Sequence, residues 1–166
     1  MKSLVLFTFL LASIQFSNAQ EQKLGFPERI PEFSIYAEDG AAFTNKDLVK
    51  NKNIIFIYFN PTCGHCKNGF KTLNINFQNL KLDNLHVYPV SSGTVKETQM
   101  FFKNLAPNLA NLKNIEVIYD EDYRFADAFF VSVFPHSFLY GKDHNFIGSY
   151  EGQSKILDPL KELQKK

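Results

Sequence analysis

The sequence predicts an α/β domain built on a central mixed β-sheet with helices packed on both faces. Three features predict it. Strand-like and helix-like segments alternate along the chain, the pattern of a sheet buried between helices. One run, Ile54-Ile55-Phe56-Ile57-Tyr58-Phe59, is apolar throughout, as in a strand covered on both sides. The last two strands are joined by a short turn, Gly141-Lys142-Asp143-His144-Asn145, so they pair antiparallel and make the sheet mixed. A chain of 166 residues suffices for one such domain and is too short for two.

The elements follow in order. Residues 20–32 are irregular, because Pro27 and Pro31 block regular pairing. Phe33-Ser34-Ile35-Tyr36 alternates weakly and predicts a short strand, closed by the turn Glu38-Asp39-Gly40. Thr44 is placed to cap a short helical turn over residues 45–48. The strand at residues 54–59 stops at Asn60-Pro61-Thr62. Phe70, Leu73, Phe77 and Leu80 recur at helical spacing and predict a helix over residues 63–80, weakened at Gly64 and Gly69. A strand is predicted at 86–90, a helix at 95–105 ending before Pro107, and a strand at 115–119. A short helix follows at 123–130. The hairpin strands are 138–140 and 146–150. Ser154 is expected to cap a last helix to Leu163, kinked or shortened by Pro159.

Composition narrows the function. Apolar residues make up 45% and charged residues 21%, ordinary for a globular protein, and the net charge is +1. No basic stripe interleaved with aromatics points to nucleic acid. Eighteen phenylalanines and no tryptophan predict an aromatic-rich core. The first 19 residues have the form of a secretory signal, leaving residues 20–166 as the domain. Lys2 is followed by an apolar run from Leu4 to Ile14 and by the small residues of Ser17-Asn18-Ala19. That run is short for a membrane span, so membrane contact is expected only through an uncleaved signal. The expected location is periplasmic or secreted.

The chemistry lies in Asn60-Pro61-Thr62-Cys63-Gly64-His65-Cys66-Lys67, which a strand enters and a helix leaves. The chain has two cysteines, and a disulfide between them closes too small a loop to stabilise the fold much. Cys63 is expected in the first helical turn, where exposed N–H groups and the positive end of the helix favour an anion. It is the predicted nucleophile. Cys66, one turn deeper, is the predicted resolving thiol. Gly64 allows a tight turn. His65, as imidazolium, would favour the reduced pair. A four-cysteine zinc site is excluded by the count. A mixed metal site with His65 and His136 remains open at this stage, and His86 and His144 are expected to be structural.

Cys-Gly-His-Cys at a helix start, with Val133-Phe134-Pro135 before a later strand, resembles the thioredoxin-like superfamily. The finer features are similar to its exported TlpA/ResA and AhpC/TSA-related branch. These are Pro31-Glu32-Phe33, the approach Phe59-Asn60-Pro61-Thr62-Cys63, the added helix at 95–105, Asp120, and the stretch from Phe134 to Leu139. The resemblance spans residues 27–163. It implies a thioredoxin fold and a thiol–disulfide oxidoreductase acting on protein thiols and disulfides, served by an upstream redox partner protein. It implies a cis bond at Pro135, substrate contacts at Phe134, Thr62 and Gly64, and no cofactor beyond the cysteine pair.

The sequence departs from the pattern where buried acids usually assist the resolving thiol: Ile57 and Gly69 stand at those places, and Thr62 replaces the usual Trp. Two alternatives follow from the same residues. A peroxiredoxin-like peroxidase would want Thr or Ser at Asn60 and a nearby Arg, and the chain has only Arg29 and Arg124. A copper- or zinc-handling protein would use Cys63, Cys66 and His136.

Overall fold

The computed structural model describes residues 26–165. The predicted secretory signal lies outside the described residues. Seven strands form one mixed sheet: β1 (Ser34–Tyr36), β2 (Ala42–Thr44), β3 (Asn53–Phe59), β4 (Leu85–Ser91), β5 (Ile118–Tyr119), β6 (His136–Tyr140) and β7 (Phe146–Glu151). Their order across the sheet is β2-β1-β5-β4-β3-β6-β7. The helices are α1 (Gly64–Ile75), α2 (Val95–Leu105), α3 (Pro107–Ala110), α4 (Arg124–Ala128) and α5 (Asp158–Gln164). β3, β4 and β5 run parallel, while β6 and β7 form the antiparallel hairpin. The expected α/β architecture is the one observed.

The period of two along β3 builds two cores. Ile55, Ile57 and Phe59 face one layer with Cys66, Phe70 and Leu73 of α1, Phe101 and Phe102 of α2, and Ile156 and Leu160 near α5. Ile54, Phe56 and Tyr58 face the other layer with Phe33, Phe43, Tyr88, Phe125, Phe129 and Phe138. The predicted aromatic core is therefore real and divided. On the second face the Phe125 and Phe129 rings stack at 3.8 Å. On the first, Phe59 and Phe70 meet at 4.5 Å.

Several boundaries differ from expectation, each for a local reason. The helix predicted over 63–80 ends at Ile75, because the Asn76 backbone N–H and side-chain amide both donate to the Thr72 carbonyl. A separate 3₁₀ turn, Phe77–Leu80, follows. Thr44 ends strand β2 and caps a single turn that does not go on to a helix: its hydroxyl accepts the Lys46 N–H, its carbonyl the Asp47 N–H, and its own N–H and hydroxyl donate to Asp47. The strand predicted at 115–119 shortens to Ile118–Tyr119, with Ile115 making a single bridge to Val87.

Helix α4 is trimmed at both ends by the left-handed residues Tyr123 (φ 60°) and Phe130 (φ 53°). Ser154 lies in a 3₁₀ turn, Gln153–Lys155, and caps nothing. Pro159 sits in the first turn of α5, where a missing N–H costs no helical bond, so the expected kink is absent. Pro107, read only as a terminator, opens α3.

Candidate active site

The turn between β3 and α1 carries the cysteines. Cys63 is the N-cap of α1 and one residue outside the helix, not in its first turn, and its sulfur accepts no capping hydrogen bond. Cys63 is partly exposed and Cys66 fully buried; neither is in a disulfide. Burial pushes the Cys66 thiol up to about 12. The backbone N–H of Asn60, directed at the same sulfur, pulls the other way, and the Cys63 sulfur alongside adds to the rise.

The Phe134–Pro135 bond is cis. Pro135 is buried against α1: its Cγ lies 3.6 Å from the place a Cβ on Gly69 would occupy. Gly69 is one turn beyond Cys66 on the same buried face of α1. The proline loop and the thiol-bearing helix are thus in contact. The Pro135 carbonyl accepts the Gly152 N–H at 2.8 Å. Phe134 is 37% exposed, and its ring rests 5.6 Å from that of Tyr58. The Tyr58 hydroxyl donates to the buried Asp120 at 3.0 Å, and the Phe125 and Ala126 N–H groups donate to the same carboxylate. Tyr58 is raised above its ordinary value by burial and by this carboxylate.

Of the other predicted residues, His65 is exposed and its Nδ1 approaches Gln153 Oε1 at 3.4 Å. A groove of about 380 Å³ runs between His65, Phe134, Gly152, Gln153 and Ser154. Gly64 is exposed, with open space where a Cβ would stand. The Thr62 hydroxyl donates to Asn60 Oδ1 at 2.6 Å.

His136 does not join the site. Its ring lies on the opposite layer of the sheet, 4.2 Å from Phe138 and 5.7 Å from Phe26, with Nε2 at 2.6 Å from Ser149 Oγ. The strand period explains this: residues 135 and 137 share one face of β6 and residue 136 the other. The metal set Cys63, Cys66 and His136 is therefore not assembled. Among the described residues no group of three or more His, Cys, Asp or Glu side chains could hold a metal ion.

Sequence reasoning missed Asn60 as a structural hub and Gly93 as a close-approach residue. A Cβ on Gly93 would stand 2.8 Å from Pro61 Cδ and Cγ, so the β4–α2 loop presses directly on the loop before Cys63. The Asn-Pro pair closing a buried strand was the available signal for Asn60. Nothing local marked Gly93.

The AhpC/TSA family model matches residues 27–147, from the segment before β1 to the start of β7. The chain belongs to the AhpC/TSA family. That stretch of the AhpC/TSA match holds both cysteines, Asn60 and Pro135. A comparison with curated proteins gave no match.

Solved structures share the thioredoxin fold at low identity. The thioredoxin domain of a thiol-disulfide oxidoreductase from Bacteroides vulgatus is similar at 13% identity and a TM-score of 0.64, covering 84% of this chain and 98% of that one. The copper-bound ScoI of Arabidopsis thaliana is similar at 17% identity and a TM-score of 0.59, covering 82% and 99%. The exposed lipoprotein thioredoxin of Streptococcus pneumoniae is similar at 19% identity and a TM-score of 0.53, covering 79% and 98%.

Proposed function

We propose that this chain is an exported thiol–disulfide oxidoreductase that exchanges disulfides with protein thiols. The observation that carries the reading is the stacking of three features. Cys63 stands partly exposed at the head of α1, Cys66 waits buried behind it, and the cis Pro135 loop packs on the same helix.

In the reducing direction, Cys63 as thiolate attacks one sulfur of a substrate disulfide. The substrate's other sulfur leaves as a thiolate and takes a proton. Cys66 then gives its proton to solvent and attacks Cys63 Sγ. The Cys63–substrate bond breaks, the second substrate sulfur leaves, and the Cys63–Cys66 disulfide forms. The substrate gains two electrons and the pair loses two. A dithiol protein partner restores the pair by the reverse exchange.

His65 tunes the reduced pair, and Phe134, with Thr62 and Gly64 beside the nucleophile, contacts the substrate chain. Thr62 takes part through its backbone carbonyl and methyl group, since its hydroxyl and N–H both donate to Asn60. Export rests on the signal-like first 19 residues.

Turnover of a protein disulfide such as insulin tests the reading. Cys63→Ser is expected to abolish it. Cys66→Ser is expected to accumulate a covalent substrate complex that a reductant releases. Wild-type turnover by both variants would sink the proposal.

A further inference from the structure

Asn60 uses its polar atoms to bind the reactive loop together and to tie it to a neighbouring loop. Its backbone N–H is directed at the Cys66 sulfur. Its backbone carbonyl accepts the Cys63 N–H at 3.1 Å. Its side-chain Oδ1 accepts both the Thr62 N–H at 2.8 Å and the Thr62 hydroxyl at 2.6 Å. Its Nδ2 donates to Ser92 Oγ at 3.0 Å. The orientation of the amide is forced by chemistry, because only its oxygen can receive the two Thr62 donors.

Ser92 is itself anchored on the end of β3. Its N–H donates to the Phe59 carbonyl at 3.0 Å, and its hydroxyl leans on the same oxygen at 3.4 Å. Next to it, Gly93 lets the β4–α2 loop lie against Pro61. One side chain therefore ties the turn before Cys63 to a neighbouring loop, while its own backbone carbonyl holds the Cys63 N–H.

Other donors to the resolving thiol are scarce. Among the described residues the buried polar side chains are His86, Ser91, Thr98, Asp120, His136 and Ser137. Asp120 and His136 belong to the opposite layer, packed with Tyr58 and Phe138. Ser91 and Thr98 bind each other at 2.6 Å. Ser137 shares the Cys66 face of the sheet, where its buried hydroxyl has no protein partner among the described residues, so the layer around Cys66 is mainly apolar with few polar groups.

We infer that Asn60 is a positioning residue for the exchange: with Ser92 as its anchor, it fixes the turn that carries Cys63 at the head of α1 and so sets how readily Cys66 attacks the mixed disulfide formed there. The inference rests on the oxidoreductase reading above. At neutral pH the resting Cys66 is a neutral thiol, so a donor aimed at its sulfur favours the thiolate from which the attack starts and the part of that charge still on the sulfur in the transition state. Loosening the loop also misplaces Cys66 relative to Cys63, and misplacement on the order of 1 Å can cost about 100-fold.

The test uses the mature protein carrying a chromogenic aromatic thiol in mixed disulfide with Cys63. Release of that thiol by Cys66 is followed in single turnover against pH, together with the reduction potential of the pair. Asn60→Ala is expected to slow release by at least about 10-fold and to shift the potential. Asn60→Asp keeps the oxygen that receives Thr62 but loses the donor to Ser92 and brings a negative charge into the turn before Cys63. It is expected to displace the pH profile of release by about one unit to the alkaline side. Ser92→Ala is expected to slow release less than Asn60→Ala does.

A structural role alone would lower the unfolding midpoint and leave the profile and the potential where they are. Wild-type release and potential in Asn60→Asp and Ser92→Ala would overturn the inference, even if Asn60→Ala failed to fold. The oxidoreductase reading would survive that outcome as long as Cys63→Ser remained inactive.

Discussion

Cys66 makes the resolving step steeply dependent on pH. Its thiol is pushed up to about 12, first by burial and only second by the Cys63 sulfur. In the mixed disulfide the Cys63 sulfur carries no charge, but the burial remains. At pH 7 a thiol near 12 is ionised in about one molecule in 100,000, against about one in 100 for a thiol near 9. The reactive fraction therefore climbs tenfold per unit of pH. The perturbation is a change of pH from about 6 to about 9 on the preformed mixed disulfide. Stopped-flow release of the leaving thiol is expected to accelerate about 1,000-fold over that span, on a straight line of unit slope. A plateau beginning below about pH 9 would refute the reasoning. It would mean either that Cys66 is solvated in the intermediate or that an unrecognised base takes its proton.

Two further outcomes follow from the packing. Gly93→Ala places a methyl group 2.8 Å from a proline ring that cannot bend aside. It is expected to destabilise the fold by about 1–3 kcal/mol in urea denaturation and to slow exchange, because the displaced loop precedes Cys63. His86 and His136 are each lowered to about 4 by burial, so both are neutral in the folded protein. Their contribution to stability is full above about pH 6.5 and is lost as pH falls toward 4, since the unfolded chain takes up protons the fold refuses. Calorimetry across that window is expected to show a falling Tm, and replacing both histidines with apolar residues is expected to flatten it.

That neutrality also settles the approach of His86 Nε2 to Glu116 at 3.7 Å. Burial of His86 is the better guide than the distance, so the contact is not an ion pair. Glu116 itself is raised by burial, in keeping with a neutral neighbour.

Much of the fold was legible because its signals are local. The apolar run of β3, the helix of α2 ended before Pro107, and the turn before β7 each declare themselves within a few residues. The misjudged pieces lack such a signal. β2 has three residues and one buried side chain, Phe43. The helix over 63–80 broke at Asn76, where a side chain competes for a carbonyl that periodicity cannot foresee. The alternative metal set with His136 fails because one step along the strand from Pro135 carries a side chain to the other face.

From the sequence alone came the alternation that demands a sheet between helices, and the spacing that sets two cysteines one turn apart at a helix head. Both depend on residues close together along the chain. Tertiary structure decided the rest. It decided which face of β3 meets α1, and so how deeply Cys66 is buried. It decided that Asn60 reaches Ser92, and that Gly93 lies on Pro61. A period of two tells which residues share a face but not what covers that face, and the reactivity of the resolving sulfur is set by what covers it.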